Sequence, residues 1–164
     1  MALSAQQVQE FHDNGVVIAE NVVAGGDLQP VIDDLQAWID QRARQLHSEG
    51  KIKQLHEDKP FENRLYHLVE QYPQFNEGMD IMTIRGRGMF EFLLNDHLLD
   101  AVEQLLGTAE ITCNPIQHIR SKVYNPQQSG GSSGNFPDVP WHQDAGVTWD
   151  EADESLILTC WIAM

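Results

Sequence analysis

Two kinds of hydrophobic spacing divide this sequence and limit the folds open to it. Val31, Leu35, Ile39 and Leu46 recur at close to 3.6-residue intervals, which predicts an amphipathic helix that Asp27 can cap. Such a helix must bury its apolar stripe against other elements, because packing rather than propensity stabilises most helices. The first part of the chain is therefore expected to build a helical layer.

Shorter helices are expected on both sides of this one. Ser4 and Gln7 match the spacing of a capping box, and Gly15 provides a stop for the first helix. Helical spacing returns over residues 61–72 and again from about residue 95 to Gly107. These signals predict four helices before residue 108.

After Gly107 the pattern changes to extended structure. Residues 111–124 predict one or two strands, and the apolar run 156–163 predicts another. Residues 125–139 are rich in Gly, Ser, Pro, Asn and Gln and predict a loop. Helices followed by strands predict the α+β class, in one domain with a mainly helical part (1–107) and a strand part (108–164).

Composition and charge exclude several classes of function. The net charge is −15 with only 10 Lys and Arg, so a nucleic-acid or anionic-membrane binder is not expected. No apolar run is long enough to predict a membrane span, and residues 1–4 do not resemble the start of a secretory signal. Cys113 and Cys160 form no CxxC pair, which favours a reducing, cytoplasmic location.

A histidine and a carboxylate two residues apart can share one face of a strand. The chain has three such His-x-acid matches, at residues 47–49, 56–58 and 142–144. The first two fall in helical or charged stretches, where side chains at i and i+2 diverge, and we expect them on the solvated surface. The third falls in a predicted strand, where both side chains can bind one ion.

The predicted strand before residue 124 has a polar face. His118, Arg120 and Lys122 alternate with Ile119 and Val123, so the two sets point to opposite faces. The polar set can line a wet cavity, or it can be the solvent face of an ordinary strand. Spacing alone leaves both interpretations open.

Two segments near the carboxyl end resemble a known family. Residues 139–144 read Val-Pro-Trp-His-Gln-Asp, and residues 158–164 read Leu-Thr-Cys-Trp-Ile-Ala-Met. This pair resembles the phytanoyl-CoA dioxygenase family of Fe(II)/2-oxoglutarate-dependent oxygenases. Residues 3–23 and 98–107 also resemble the family's opening and the helix that precedes its first barrel strand.

The resemblance implies a fold, two cofactors and a set of site residues. The strands would be the first ones of a double-stranded β-helix, or jelly roll, incomplete at its carboxyl end. His142 and Asp144 would bind Fe(II), and the cosubstrate 2-oxoglutarate would contact His118, Lys122 and Trp161. The family's reaction uses O2 to hydroxylate a small organic molecule, and retention of Asp144 favours hydroxylation over halogenation.

Part of the family's site has no counterpart in these residues. The family takes a third ligand from a downstream histidine and anchors 2-oxoglutarate with a basic residue after it. No His follows His142, and no Lys or Arg follows Lys122. We therefore expect this chain to be an amino-terminal fragment, inactive by itself, that needs a missing carboxyl-terminal half or a partner chain.

Two other functions fit the same residues. A zinc hydrolase would need three protein ligands, such as His142, Asp144 and His118, with a bound water. A non-catalytic interaction module would use the apolar carboxyl-terminal strand to pair with another chain. An effect of 2-oxoglutarate on metal binding separates the oxygenase from the first, and metal-independent dimerisation favours the second.

Overall fold

The described part of the protein is helical. The structure is a computed structural model and describes residues 3–113, 117–121, 144 and 155–164. Within these ranges, none of the helices combines the length and apolar character needed to cross a membrane. Five helices occur in these ranges: α1 (Ala5–Asn14), α2 (Gly25–Ser48), α3 (Phe61–Gln71), α4 (Arg87–Phe92) and α5 (Asp96–Leu106).

The ends of α1 and α5 are those that the sequence predicts. The backbone N–H of Gln7 donates to Ser4 Oγ over 3.2 Å, and that of Ser4 donates to Gln7 Oε1 over 2.9 Å, which completes the capping box. Asn95 caps α5, and Gly15 and Gly107 end their helices with φ of 73° and 70°. Glycine adopts this left-handed conformation without a Cβ clash.

The start of α2 differs from the prediction. The helix begins at Gly25, so Asp27 lies in its first turn and is not the cap residue. Its carboxylate reaches back to accept the backbone N–H of Ala24 over 2.7 Å and lies 2.9 Å from Nδ1 of His97. The side chain still satisfies an open N–H at the helix start, but from a position inside the helix.

Helix α2 carries the central stripe of the core. The aromatic rings of Trp38 on α2 and Phe75 meet edge to face with centroids 6.3 Å apart. Phe75 lies in the turns between α3 and α4 and is fully buried. The buried cluster comprises Val31, Leu35, Ile39, Ala43, Leu46, Ile52, Leu68, Val69, Phe75, Met79, Ile84 and Met89.

Helix α4 approaches α2 closely because of two glycines. A Cβ on Gly86 would overlap the Asp34 carboxyl group, and one on Gly88 would overlap the backbone of Pro30. The Asp34 carboxylate accepts the N–H of Met89 over 2.8 Å. Since the glycines leave room, the side chain of one helix serves as the cap acceptor for the other.

The predicted α+β class with jelly-roll strands is wrong for the described residues. Residues 16–19, 111–113, 117–121 and 155–164 are in irregular structure, and no strand occurs in the ranges that the structure describes. The apolar run from Val16 to Ala19 also predicts a short buried strand, but Val16 and Ile18 are exposed. Apolar runs and alternation favour an extended backbone, but a strand also needs a backbone hydrogen-bond ladder to a neighbouring strand, and no second strand occurs in the described ranges.

Candidate functional site

Residues 117–121 pack against the turns between α3 and α4. His118 Nδ1 lies 3.0 Å from Asp80 Oδ2. The amide of Asn76 donates to Ser121 Oγ over 2.9 Å. Ile119, between these two polar contacts, packs on the hydrophobic cluster. His118 and Ile119 thus make the polar and the apolar contact expected of them, whereas Ser121, two residues after Ile119, makes a polar contact.

Asp80 is held in place by its own turn. Its Oδ1 accepts the backbone N–H of Met82 over 3.1 Å, and its carbonyl accepts the N–H groups of Thr83 and Ile84. A carboxylate that bridges to the N–H two residues on forms an Asx turn, which fixes the side-chain direction. Its second oxygen therefore points to His118 from a fixed position.

The second polar contact of residues 117–121 starts from a buried amide. Asn76 is 1% exposed, and its backbone carbonyl accepts the N–H of Met79 over 3.0 Å. A buried amide is costly without hydrogen bonds, so its bond to Ser121 favours this position of residues 117–121. Asn76 and Asp80 thus contact residues 117–121 at two places, one near each end.

The two segments that carry the family resemblance meet through one hydrogen bond. The Thr159 hydroxyl donates to the Asp144 carboxylate. Trp161 follows two residues later and is 76% exposed. Asp144 and Thr159 are fifteen residues apart in sequence, so the bond links one described residue of each motif.

The predicted site residues divide into two groups. His118, Asp144 and Trp161 are described, whereas His142 and Lys122 lie outside the described residues. Within the described part of the chain, no three His, Cys, Asp or Glu side chains are grouped so that they could hold a metal ion. The ligand and cosubstrate assignments therefore remain predictions.

The other two His-x-acid matches are surface features, as predicted. Glu49 pairs with Lys51 over 2.7 Å, and Asp58 pairs with Lys59 over 3.2 Å. The ring of His56 stacks at a tilt on His67, with centroids 5.1 Å apart. Both carboxylates are therefore engaged by lysines on the surface.

Sequence reasoning missed Asp80 and Asn76 as partners of residues 117–121. Both lie in the stretch 75–88, which has no clear helical or strand period. Contacts that span 38 and 45 residues leave no local signal in one sequence. Thr159, by contrast, lies inside one of the two motif segments.

Comparison of the chain with protein-family models, with curated proteins and with solved structures finds no match. The assignment of a function therefore depends on the chain's own residues and contacts.

Proposed function

We propose that this chain provides the His142 and Asp144 ligands of an Fe(II)/2-oxoglutarate-dependent oxygenase that hydroxylates a small organic molecule. One observation carries the proposal: the hydrogen bond from Thr159 to Asp144. It joins the two segments on which the family resemblance depends. A carboxylate fixed by a neighbouring hydroxyl is oriented as metal-binding carboxylates generally are.

The donor types fit iron. Imidazole and carboxylate together are the ligands of the two-histidine, one-carboxylate triad that binds Fe(II) and leaves open positions. Asp144 supplies the hard oxygen donor, and His142 supplies the nitrogen donor two residues before it. The resemblance takes the remaining ligand from a further histidine.

The iron centre, when bound, couples decarboxylation of 2-oxoglutarate to oxidation of a carbon on the substrate. The residues of this chain bind and orient the reactants. Asp144 and His142 fix the metal, while His118, Lys122 and Trp161 contact 2-oxoglutarate. Lys122 offers a cation to the carboxylates of this dianion. We place the activity in the cytoplasm because neither cysteine belongs to a CxxC pair.

The test measures succinate formed from 2-oxoglutarate by the polypeptide purified from its native cell, with Fe(II) and O2. We expect turnover by the wild type and a loss of at least about 100-fold in Asp144→Ala, since a ligand is removed. Asp58→Ala is the matched control, because Asp58 also follows a histidine by two positions but pairs with Lys59. It should keep full activity.

Two results would overturn the proposal. One is the absence of succinate formation by the native polypeptide under these conditions. The other is metal-dependent hydrolysis with zinc and no response to 2-oxoglutarate, which would assign the same residues to a zinc hydrolase. The isolated 164-residue polypeptide should form no succinate above a His142→Ala control.

A further inference from the structure

We infer that Asp80 is a positioning residue for the 2-oxoglutarate site, where it holds the His118 ring through Nδ1 and aims its Nε2 edge at the cosubstrate. This inference rests on the proposed function, which makes His118 a cosubstrate contact. Asp80 lies in the mainly helical part of the chain, 38 positions before His118. The inference makes it part of the 2-oxoglutarate site.

The chemistry of the pair fixes which ring nitrogen carries a proton. Asp80 Oδ2 lies 3.0 Å from His118 Nδ1, and an ionised carboxylate can only accept hydrogen bonds. The ring must therefore be protonated at Nδ1 while the bond exists. A neutral imidazole then has its lone pair at Nε2, and a protonated imidazole has a second N–H there.

The protonated form suits 2-oxoglutarate. The cosubstrate has two carboxylates, and an Nε2–H group can donate to one of them. The hydrogen bond between Nδ1 and the Asp80 carboxylate keeps the ring plane fixed. Histidines that act in metal sites commonly have such a partner on their second nitrogen, and loss of the partner weakens the site.

The position of the Asp80 side chain is fixed by the contacts of its own turn. Its turn is closed by backbone bonds to Thr83 and Ile84, and its Oδ1 is occupied by the N–H of Met82. Its side chain is 20% exposed, half the 41% exposure of His118. Ile119 and Ser121 keep the partner segment against the same turns. Both members of the pair are thus fixed independently of the bond between them.

The first measurement is the protonation state of each ring nitrogen of His118, by nitrogen NMR of the histidine-labelled 164-residue chain. The spectra are recorded at alkaline pH, where a free imidazole is neutral. We expect the Nδ1–H tautomer in wild type and the Nε2–H tautomer, which an unrestrained imidazole prefers, in Asp80→Ala. The Nε2–H tautomer in wild type would overturn the inference, even if the variant does not fold.

The second measurement is the steady-state kinetics of the native polypeptide. Asp80→Ala should raise KM for 2-oxoglutarate about 10-fold or more and change kcat at saturation much less. Glu77→Ala is the matched control, since it removes the same charge from an exposed position three residues earlier. It should leave both KM and the tautomer unchanged.

The outcomes separate this inference from the proposed function. If wild type turns over 2-oxoglutarate and Asp80→Ala has the same KM, the positioning role is wrong and the oxygenase proposal stands. If wild type forms no succinate, the oxygenase proposal fails and the inference about the cosubstrate fails with it. A raised KM together with the tautomer change supports both.

Discussion

The backbone N–H of Met89 donates to the carboxylate of Asp34 over 2.8 Å, so a side chain of α2 caps the start of α4. These residues are 55 positions apart in sequence. Helix α4 has six residues, and a helix this short is unstable without tertiary contacts. The contact with α2 therefore determines whether this helix forms.

Substitution of Gly88 tests the close approach of α4 to α2. Gly88→Ala should lower the free energy of unfolding by about 1–3 kcal/mol, because the new Cβ meets the backbone of Pro30, which cannot move aside as a flexible side chain can. Chemical denaturation followed by circular dichroism measures the change. Gly26→Ala is the control, since Gly26 is also the second residue of its helix and has no atom within 4 Å of the added Cβ. That variant should be neutral or more stable.

Substitution of Arg64 tests a buried cation. Arg64 is 7% exposed, pairs with Asp40 over 2.6 Å and donates twice to the carbonyl of Leu55. Lysine has a single ammonium group and cannot make the same set of bonds as the planar guanidinium. Arg64→Lys should therefore lower the free energy of unfolding by about 1–3 kcal/mol.

The matched control is Arg44→Lys. Arg44 and Glu57 form an ion pair of the same 2.6 Å length, but both side chains are more than half exposed. Exposed pairs contribute less than about 1 kcal/mol, so this variant should unfold close to wild type. Equal losses in the two lysine variants would contradict the role given to burial.

The stability contributed by Asp27 should depend on pH. The backbone N–H of Ala24, and then the His97 ring, hold the pKa of this carboxyl below its usual value. A lowered pKa in the folded state means a contribution that is present above the unfolded-state pKa of about 3.9 and is lost as pH falls through the folded-state pKa.

Thermal unfolding of Asp27→Asn against wild type measures this contribution. The variant should have the lower Tm at neutral pH, and the two curves should converge at acid pH, where wild-type Asp27 is protonated. Asp33→Asn, which changes an exposed acid of the same helix, is the control. A gap in Tm that stays constant down to acid pH would show that charge is not the cause.

The helices that sequence predicts well have local signals. The capping box of α1 and the glycine stops of α1 and α5 each lie within a few residues, and these predictions are confirmed. The apolar stripe from Val31 to Leu46 is also confirmed. Its period repeats within one helix, so the signal that predicts it is local. Helix α4 is not predicted from the sequence, because its cap comes from Asp34, which is far away in sequence.

The failed prediction of strands has the same physical origin. His118 makes a polar contact and Ile119 an apolar one, but Ser121, two residues after Ile119, again makes a polar contact. Strand formation further requires a partner, which no local pattern specifies. At the candidate site, motif spacing picks out Asp144, and Thr159 lies inside the second motif segment, whereas the link from His118 to Asp80 depends on folding.

The most direct test of the oxygenase proposal is the Fe(II) affinity of the native polypeptide, measured anaerobically by equilibrium dialysis with and without 2-oxoglutarate. A cosubstrate that chelates the bound metal must tighten metal binding, by linkage, as much as the metal tightens cosubstrate binding. We predict that 2-oxoglutarate tightens Fe(II) binding at least about tenfold, or by about 1.4 kcal/mol, in wild type and in Asp58→Ala. In Asp144→Ala, 2-oxoglutarate should not tighten Fe(II) binding. An Fe(II) affinity that 2-oxoglutarate does not change would contradict the proposal.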